Sequence, residues 1–290
     1  MILGKCAIMK GIKCGGKTMV YLFFALYGEA KPFIEKWKLK KQNQYTKYQV
    51  FERESFCCVV TGVGSMKMAI HTTHFLSSRN LQEEDIFCNV GIAGTKASHF
   101  DKGELYFIHK IHSKENGRDF YPELLYRQKY QEASLETFSK VVGKEEEIQE
   151  DLVDMEGAAF FETLHFFVKK KQIFLWKCIS DFLDGERVKP EDLLKKHCDT
   201  LDLFFEQFHR VENREKELFQ KKRRDLEEKL WKHLFCSETM RIQGKDLLHY
   251  AELSEKNVEK MIQKYLRKEV KTKTEGKKYF EDLRNEILEF

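Results

Sequence analysis

The chain has 290 residues, of which 42% are hydrophobic and 13% aromatic, and this is enough to bury one large core and a smaller appendage. It contains no apolar run of the ~18 residues that a membrane span needs, and it does not open with the pattern of a cleavable leader. A formal net charge of +4 is too small to indicate a nucleic-acid partner by itself, so the composition predicts a globular protein without a membrane anchor.

The eight cysteines lie mostly inside apolar runs, as Cys57, Cys58, Cys88 and Cys178 do, and they lack the paired spacing of a metal site. This distribution favours buried free thiols over disulfides or structural zinc. We therefore expect a cytoplasmic protein that carries no metal and no cofactor.

The segment Gly11–Thr18 reads GIKCGGKT and satisfies the G-x-x-x-x-G-K-[ST] pattern of a phosphate-binding loop. A functional loop of this kind leaves a buried strand and enters a helix, whose first amides hold the phosphates. Here the pattern is followed by MVYLFFAL, an apolar and branched run that is typical of a strand. We therefore interpret residues 1–18 as an N-terminal extension that binds no nucleotide phosphate.

Apolar strand candidates alternate with helix-like segments over the first part of the chain. This alternation is typical of an α/β sheet covered by helices on both faces, and we assign residues 19–211 to such a domain. The strand candidates are Val20–Leu26, Ser55–Gly64, Asp85–Gly94, Gly103–Ile111 and Gln172–Asp181, and the helix-like segments include KPFIEKWKL, MKMAIHTTHFLSS and DMEGAAFFETLHFF.

From about Arg210 the pattern changes to a long charged helix, KELFQKKRRDLEEKLWKHLF, followed by two shorter amphipathic segments. A hairpin is predicted in KTKTEGKKYF, with its turn at Glu275 and Gly276. We interpret residues 212–290 as a separate, mainly helical interaction module. Its apolar residues recur at helical spacing, and because the module is short we expect them to be buried only by docking on another surface. They are Leu226, Leu230, Leu234, Leu247, Leu248, Ile262 and Leu266.

Three roles for this module stay open: a solvated helix, a protein-binding helix, or a winged-helix-like reader of nucleic acid. Acidic residues, among them Glu227, Glu228, Glu255 and Glu259, are interspersed with the basic ones, so no purely basic face is evident. A protein partner is therefore favoured and a nucleic-acid partner is disfavoured.

Ligands of open α/β sheets bind beyond the carboxyl ends of the strands, so glycines and acids at these ends are candidate site residues. Glu29 follows the first strand in ALYGEAKPF, and Gly64 lies in the turn of TGVGSMKMA. Ala93 and Gly94 leave a strand in NVGIAGTKASHFDKGEL, and the segments DMEGAAFFET and ISDFLD supply further acids. These strand ends predict one ligand site.

The motifs GIAG with the later KGEL, then DMEGAA, then ISD resemble those of the nucleoside phosphorylase superfamily, most closely the 5′-methylthioadenosine/S-adenosylhomocysteine nucleosidases. The resemblance covers roughly residues 20–211, and none is identified for residues 216–290. It implies a mixed central sheet flanked by helices, a purine nucleoside substrate and a homodimer.

Cleavage of a purine N-glycosidic bond needs one acid that protonates the departing base and a second carboxylate that prepares water on the other side of the sugar. By its motif, Asp181 matches the family's base-protonating acid, with the Ser180 hydroxyl beside it. Glu29 falls at the water-activating position. The resemblance implies that Glu156 holds the ribose hydroxyls and that Met155 packs against the sugar.

Phe138, in ASLETF, resembles the aromatic residue that stacks on the base. Phe138 and Met155 also have an ordinary explanation as core residues, as Glu29 has in a first helical turn and Asp181 has as a cap. Glu156 is harder to explain in this way, because an unpaired charge in its apolar stretch would be costly.

The segment between KGEL and DMEG departs from the family, because it is shorter and lacks a predicted helix. The identity of the nucleoside is therefore left open. No arginine of a phosphate clamp lies at the first or second strand end, which favours hydrolysis over phosphorolysis. The alternative is a non-catalytic nucleoside-sensing or adaptor protein whose helical module binds a protein or nucleic acid, but the set Glu29, Glu156 and Asp181 favours an enzyme.

Overall fold

The computed structural model describes residues 18–123, 130–185, 188–254 and 256–289, without the side chains of residues 209, 211–213, 215 and 216. The chain divides into two compact units, one ending at Phe208 and the other beginning at His209. The phosphate-loop pattern before Thr18 lies outside the described residues, so its failure to bind phosphate stays a prediction. The run that follows it does form a strand, as predicted.

The first unit is built on one mixed sheet. Its strands are β1 Val20–Phe24, β2 Lys40–Lys41, β3 Gln49–Arg53, β4 Phe56–Val60, β5 Ile86–Thr95, β6 Leu105–Ser113, β7 Arg118–Phe120, β8 Glu132–Thr137, β9 Leu152–Asp154 and β10 Ile173–Asp181. β1 pairs in parallel with β4 and β5, while β10 runs parallel to β5 and antiparallel to β6. The pairings from β5 through β10, β6, β8 and β9 return to β5, so this part of the sheet closes on itself.

Helices cover both faces of this sheet, because its central strands are apolar on both sides. Leu22 and Phe24 of β1 enter one core, and Tyr21 and Phe23, which alternate with them, enter the other. The helices of the first unit are α1 Tyr27–Lys36, α2 Ser65–Ser77, α3 Gly157–Phe167, α4 Pro190–Lys195 and the start of α5 Cys198–His233, with a short 3₁₀ helix at Lys170–Gln172. The predicted mixed sheet flanked by helices is confirmed.

The strand directions determine where a ligand site can lie. Since β1, β5 and β10 are mutually parallel, their carboxyl ends meet at one edge of the sheet. The segment between β6 and β9 contains strands β7 and β8 and no helix within its described residues. Of the helices that the structure describes, none combines the length and the apolar composition that crossing a bilayer requires.

The second unit contains the end of α5 together with α6 Glu238–Leu253, α7 Val258–Leu266 and α8 Lys273–Leu288. These helices enclose a core of their own around Trp231, Leu248, Ile262 and Phe280. Leu230 and Leu234 are buried in the same core, and Leu226, Leu247 and Leu266 pack against it. The expectation that these residues need an outside surface to be buried is therefore wrong, because four helical segments supply enough apolar surface to one another.

The hairpin predicted at Glu275 and Gly276 is also wrong, because these residues lie in the first turn of α8. Thr272 caps this helix: its hydroxyl accepts the Glu275 N–H at 3.2 Å, and Glu275 Oε2 accepts the Thr272 N–H at 3.0 Å. This reciprocal pair is a capping box, which the spacing T-x-x-E signals in the sequence. A Cβ on Gly276 would lie 2.0 Å from the Leu234 carbonyl oxygen, so the glycine permits close helix packing and does not mark a turn.

Candidate active site

A cavity of about 240 Å³ opens at the edge where β1, β5 and β10 end. Its walls combine apolar side chains with four carboxyl groups, one hydroxyl and one lysine. Every strand end singled out in the sequence contributes to the cavity or contacts a residue that does. The walls are Ala25, Leu26, Glu29, Val63, Ile92, Ala93, Gly94, Lys140, Val141, Val142, Val153, Asp154, Met155, Glu156, Ser180, Asp181 and Leu183.

Glu29 lies in the first turn of α1 and is only 3% exposed. Its Oε2 accepts the Leu26 N–H at 2.8 Å, and its Oε1 accepts the Ile92 N–H at 3.0 Å. Burial raises the pKa of this carboxyl above its ordinary value, although both backbone donors oppose the shift. Glu29 therefore accepts a backbone N–H at the start of α1, and it also presents to the cavity a buried carboxyl with a raised pKa.

The DMEG segment joins β9 to α3 and forms part of the cavity wall. Glu156 precedes α3, and its Oε1 accepts the N–H of Gly64 at 2.6 Å. Gly64 has a φ of 101°, a value that favours glycine, and this conformation aims its N–H at the carboxylate. Burial, and then the neighbouring Asp154 carboxylate, raise the pKa of Glu156 to about 7. The backbone of Met155 is held in turn by the Ser65 hydroxyl, which donates to its carbonyl at 2.8 Å.

Lys177 is not a cavity wall but pairs with the wall residue Asp154, and it is not among the site residues predicted from the sequence. It lies in the middle of β10, is 1% exposed, and places its Nζ 2.8 Å from Asp154 Oδ2. Burial disfavours its charged form, but the carboxylates of Asp154 and Glu156 outweigh this effect and raise the pKa of Lys177. The signal was present in QIFLWKCISD, where one lysine interrupts a buried strand and requires a partner.

Asp154 is the anchor of this charged group. Besides the Lys177 ammonium, Asp154 accepts the Thr137 hydroxyl at 2.7 Å and the Gly157 N–H at 2.8 Å. Each carboxylate oxygen thus has a donor, and the ammonium balances part of the charge of Asp154, Glu156 and Glu29. This arrangement keeps Asp154, Glu156 and Glu29 together in one buried site.

Asp181 ends β10, where a bulge after Ile179 shifts the register against β5. Its Oδ2 lies 2.6 Å from the Ser180 hydroxyl, and its Oδ1 accepts the Leu183 N–H at 2.9 Å. These contacts fix the carboxyl at the end of β10. Asp181 does not cap a helix, because the next helix, α4, begins only at Pro190. A Cβ on Gly94 would lie 2.4 Å from Leu183 Cδ2, so this strand end accepts only a glycine without rearrangement.

Gly64 is not itself among the cavity walls, although its N–H donates to Glu156, which is. Phe138 is not among the walls either. It is 3% exposed and packs in a small apolar cluster with Val153 and Leu183, which themselves face the cavity. The segment that follows it contributes Lys140, Val141 and Val142 to the wall instead. No sequence motif marks these three residues, because a loop without regular periodicity brings them there.

One group of side chains outside the cavity has metal-ligand composition. Ligand atoms of His112, Asp119 and Glu150 lie within 4.8 Å of one another. The Lys110 Nζ lies 2.5 Å from Glu150 Oε1 and 3.6 Å from Asp119 Oδ2, so an ammonium already supplies positive charge to this cluster. None of these residues is among the cavity walls.

Comparisons with known proteins identify the fold. No protein-family model matches the chain, and no curated protein matches it. Among solved structures, the apo 5′-methylthioadenosine nucleosidase of Arabidopsis thaliana is 15% identical with a TM-score of 0.52, and the match covers 65% of this chain and 96% of that one. The 5′-methylthioadenosine/S-adenosylhomocysteine nucleosidase of Colwellia psychrerythraea 34H, solved with adenine, is 17% identical with a TM-score of 0.51, over 62% of this chain and 89% of that one.

A futalosine hydrolase mutant from Helicobacter pylori strain 26695 is 13% identical with a TM-score of 0.52, and the match covers 68% of this chain and 100% of that one. At these identities the likeness concerns the fold. It confirms that the larger part of the chain has the nucleoside phosphorylase fold that the motifs implied.

Proposed function

We propose that the first unit hydrolyses the N-glycosidic bond of a purine nucleoside related to methylthioadenosine or adenosylhomocysteine. The observation that carries this proposal is the joint presence of Glu29, Glu156 and Asp181 in the walls of one cavity, at the strand ends of a nucleosidase-like fold. Carboxyl groups in these positions suit a reaction in which the base gathers negative charge while the sugar becomes electron-poor.

Asp181 is assigned to the departing base. It donates a proton to a purine ring nitrogen as the bond to the sugar breaks, and the bonding electron pair leaves with the base. The Ser180 hydroxyl, 2.6 Å from Asp181 Oδ2, and the Leu183 N–H hold the carboxyl in one orientation. Orientation matters because a proton transferred in the transition state must lie on the line between donor and acceptor.

Glu29 is assigned to the water. Its raised pKa suits a base that takes a proton from water as the water oxygen attacks the anomeric carbon. Lys177 contributes positive charge near the same carboxylates and positions Asp154. Proton exchange with solvent then returns Asp181 to its acid form and Glu29 to its carboxylate form.

Glu156 and Met155 are assigned to the ribose. A carboxylate accepts hydrogen bonds from two sugar hydroxyls, and these bonds accelerate the reaction when they strengthen in the transition state. The apolar Met155 and Val63 offer a surface to the face of the sugar. Hydrolysis is preferred over phosphorolysis because none of the described cavity walls is an arginine.

We also propose that the protein is cytoplasmic and homodimeric. The cysteines among the described residues are free and buried, which fits a reducing compartment. They are Cys57, Cys58, Cys88, Cys178, Cys198 and Cys236. The dimer is proposed from the family resemblance alone, and a sedimentation measurement that finds a monomer at micromolar concentration would reject it.

The function is tested by incubating the purified protein with a panel of purine nucleosides, with and without phosphate, and separating the products. We expect free purine in both buffers at equal rates. Purine release that requires phosphate, with a ribose 1-phosphate derivative as the second product in place of the free sugar, would show a phosphorylase. Nucleoside binding without any product would favour the sensing alternative.

A further inference from the structure

The second unit presents a surface that the proposed function does not use. α6 ends at Leu253 and α7 begins at Val258, so only four residues connect the two helices. α8 completes a three-helix arrangement around the shared core. Two helices joined by so short a connection, with a third packed against them, have the order of elements of a helix-turn-helix unit.

The second helix of this pair, α7, is strongly two-sided. Val258, Met261, Ile262 and Tyr265 are buried in the core of the unit. The opposite side of the helix and the residues just after it are exposed, and they carry four cations beside the acids Glu259 and Glu269. The cations are Lys260, Lys264, Arg267 and Lys268. Lys260 and Lys264 are four residues apart on α7, about 6 Å along its axis, and Arg267 and Lys268 directly follow the end of the helix.

A groove of about 1000 Å³ runs along this exposed side. Five of its nine walls are cations, two are amides, and the remaining two are Met261 and Glu286. The basic and amide walls are Lys256, Lys260, Lys264, Arg267, Lys268, Asn257 and Gln263. The groove is therefore positive and rich in hydrogen-bond donors, and among its walls only Met261 is apolar.

Of the five cations, two have hydrogen-bond or ion-pair partners within the unit, Lys268 lies over the Tyr279 ring at 6.0 Å from its centroid, and two have no side-chain partner among the described residues. The Lys256 Nζ donates to the carbonyl oxygens of Ile287 and Glu289 at the end of α8, and Lys264 pairs with Glu286 at 2.8 Å. Lys260 and Arg267 form no side-chain hydrogen bond or ion pair with the described residues. Their charges are free to meet a ligand.

We infer that the second unit binds double-stranded DNA through the basic groove along α7. In helix-turn-helix units the second helix enters the major groove, and Lys, Arg, Asn and Gln side chains donate to the phosphates on either side. A protein partner fits less well, because the centres of protein interfaces are depleted of lysine and enriched in aromatic residues. The groove has many cations and no aromatic wall among its described residues.

This inference departs from the sequence expectation, which disfavoured nucleic acid because acids are interspersed with the basic residues. In the folded unit Glu286 is the only acid among the described groove walls. Glu259 is not a wall, although it accepts from the amide of the wall residue Gln263 at 3.3 Å. The two-stranded wing of a winged helix is not present among the described residues after His209, so the inferred contact rests on α7 alone.

The test is a titration of a fluorescent DNA duplex of about 20 base pairs with the full-length protein over a salt series. Lys260→Gln/Arg267→Gln removes the two free cations of the groove, and Lys229→Gln/Lys277→Gln removes two exposed cations of the same unit outside it. We expect the groove variant to bind at least ~10-fold more weakly and to lower the salt slope by about 2, while the control loses less than about 3-fold.

Equal losses in both variants would overturn the inference, because general attraction would then suffice. It would also be overturned by absence of duplex binding, or by binding of polyglutamate or of anionic vesicles in preference to DNA. Circular dichroism of both variants, which change only exposed side chains, establishes that the fold is intact. Nucleoside hydrolysis is measured in parallel and is expected to be unchanged in both variants, so the DNA result stands whatever the outcome for the proposed enzyme.

Discussion

Asp181 is held in one orientation by two hydrogen bonds to its carboxyl group, and its proposed role requires this fixed orientation. The Ser180 hydroxyl and the Leu183 N–H approach different oxygens of the carboxyl. We predict that Asp181→Asn lowers turnover at least ~10²-fold and leaves nucleoside binding within a few-fold, because the amide keeps the shape but supplies no acidic proton. Steady-state kinetics and calorimetric titration check this, with Asp184→Asn as the matched control three residues away. Full activity in the Asp181 variant would remove this residue from the mechanism.

Glu156 is a candidate site residue whose ionised form lowers the stability of the folded protein. Its pKa is raised from 4.5 to about 7, so the folded protein binds the proton more tightly than the unfolded chain does. The cost of the ionised carboxylate is absent below about pH 4.5, grows as the pH rises, and is complete above about pH 7.

We therefore predict that Glu156→Gln raises the free energy of unfolding at about pH 8, by an amount on the order of 1–3 kcal/mol, and leaves it unchanged at about pH 4.5. The Gly64 N–H retains an acceptor in the glutamine carbonyl. Denaturant titrations at the two pH values measure the difference, and Glu162→Gln on the exposed side of α3 is the control. A variant that is less stable than the wild type at pH 8 would contradict this account.

At the scale of the elements, strand β10 carries both a charged pair and the proposed acid. Lys177→Met is predicted to destabilise the first unit by about 3–5 kcal/mol, because Asp154 then keeps a buried charge without its cation. Asp154→Asn added to that variant is predicted to restore at least half of the loss. Thermal and denaturant unfolding of the single and double variants measure the coupling. Additive losses in the double variant would show that the two side chains do not act as a pair.

Gly276 in helix α8 tests whether close packing between helices outweighs the low helix propensity of glycine. In an exposed helix, replacing glycine by alanine stabilises by roughly 1 kcal/mol. Gly276→Ala is predicted to destabilise the second unit instead, since its Cβ would meet the Leu234 carbonyl oxygen. Hydrogen exchange of the α6 and α8 amides measures the effect, with the exposed Lys277→Ala as control. A gain in protection would mean that α5 and α8 are less closely packed than described.

At the scale of the whole molecule, short-range patterns predicted most of the larger unit. Strand ends, glycines and the DMEG and ISD motifs led to Glu29, Glu156 and Asp181, because strand polarity alone brings such residues to one edge. Lys177 is not among the predicted site residues although its strand is identified, because a single lysine does not change the apolar pattern that indicates the strand. Phe138 was predicted to face the ligand, but whether a side chain points into a cavity or behind its wall depends on loop geometry that periodicity does not encode.

The smaller unit was predicted less well, and the reason is physical. Helical spacing identified its buried leucines, but what covers them depends on tertiary packing between segments far apart in the chain. A glycine next to a glutamate was interpreted as a turn, whereas Gly276 is required by a close helix crossing and Glu275 by a capping box. Which charged residues line the α7 groove, with Glu286 as the only acid among its described walls, follows only from the folded unit.

The central claim is that one cavity hydrolyses a purine nucleoside with Glu29 and Asp181, and the most direct measurement is the rate of free purine release in phosphate-free buffer. The comparison sets the wild type against Glu29→Gln, Asp181→Asn and the double variant, with Glu35→Gln on the exposed side of α1 as control. We predict that the wild type and the control release purine. The double variant is predicted to be about as slow as the slower of the two single variants, because the effects of residues that act in the same step are not additive. Undiminished purine release by the double variant, or release that requires phosphate in the wild type, would contradict the account.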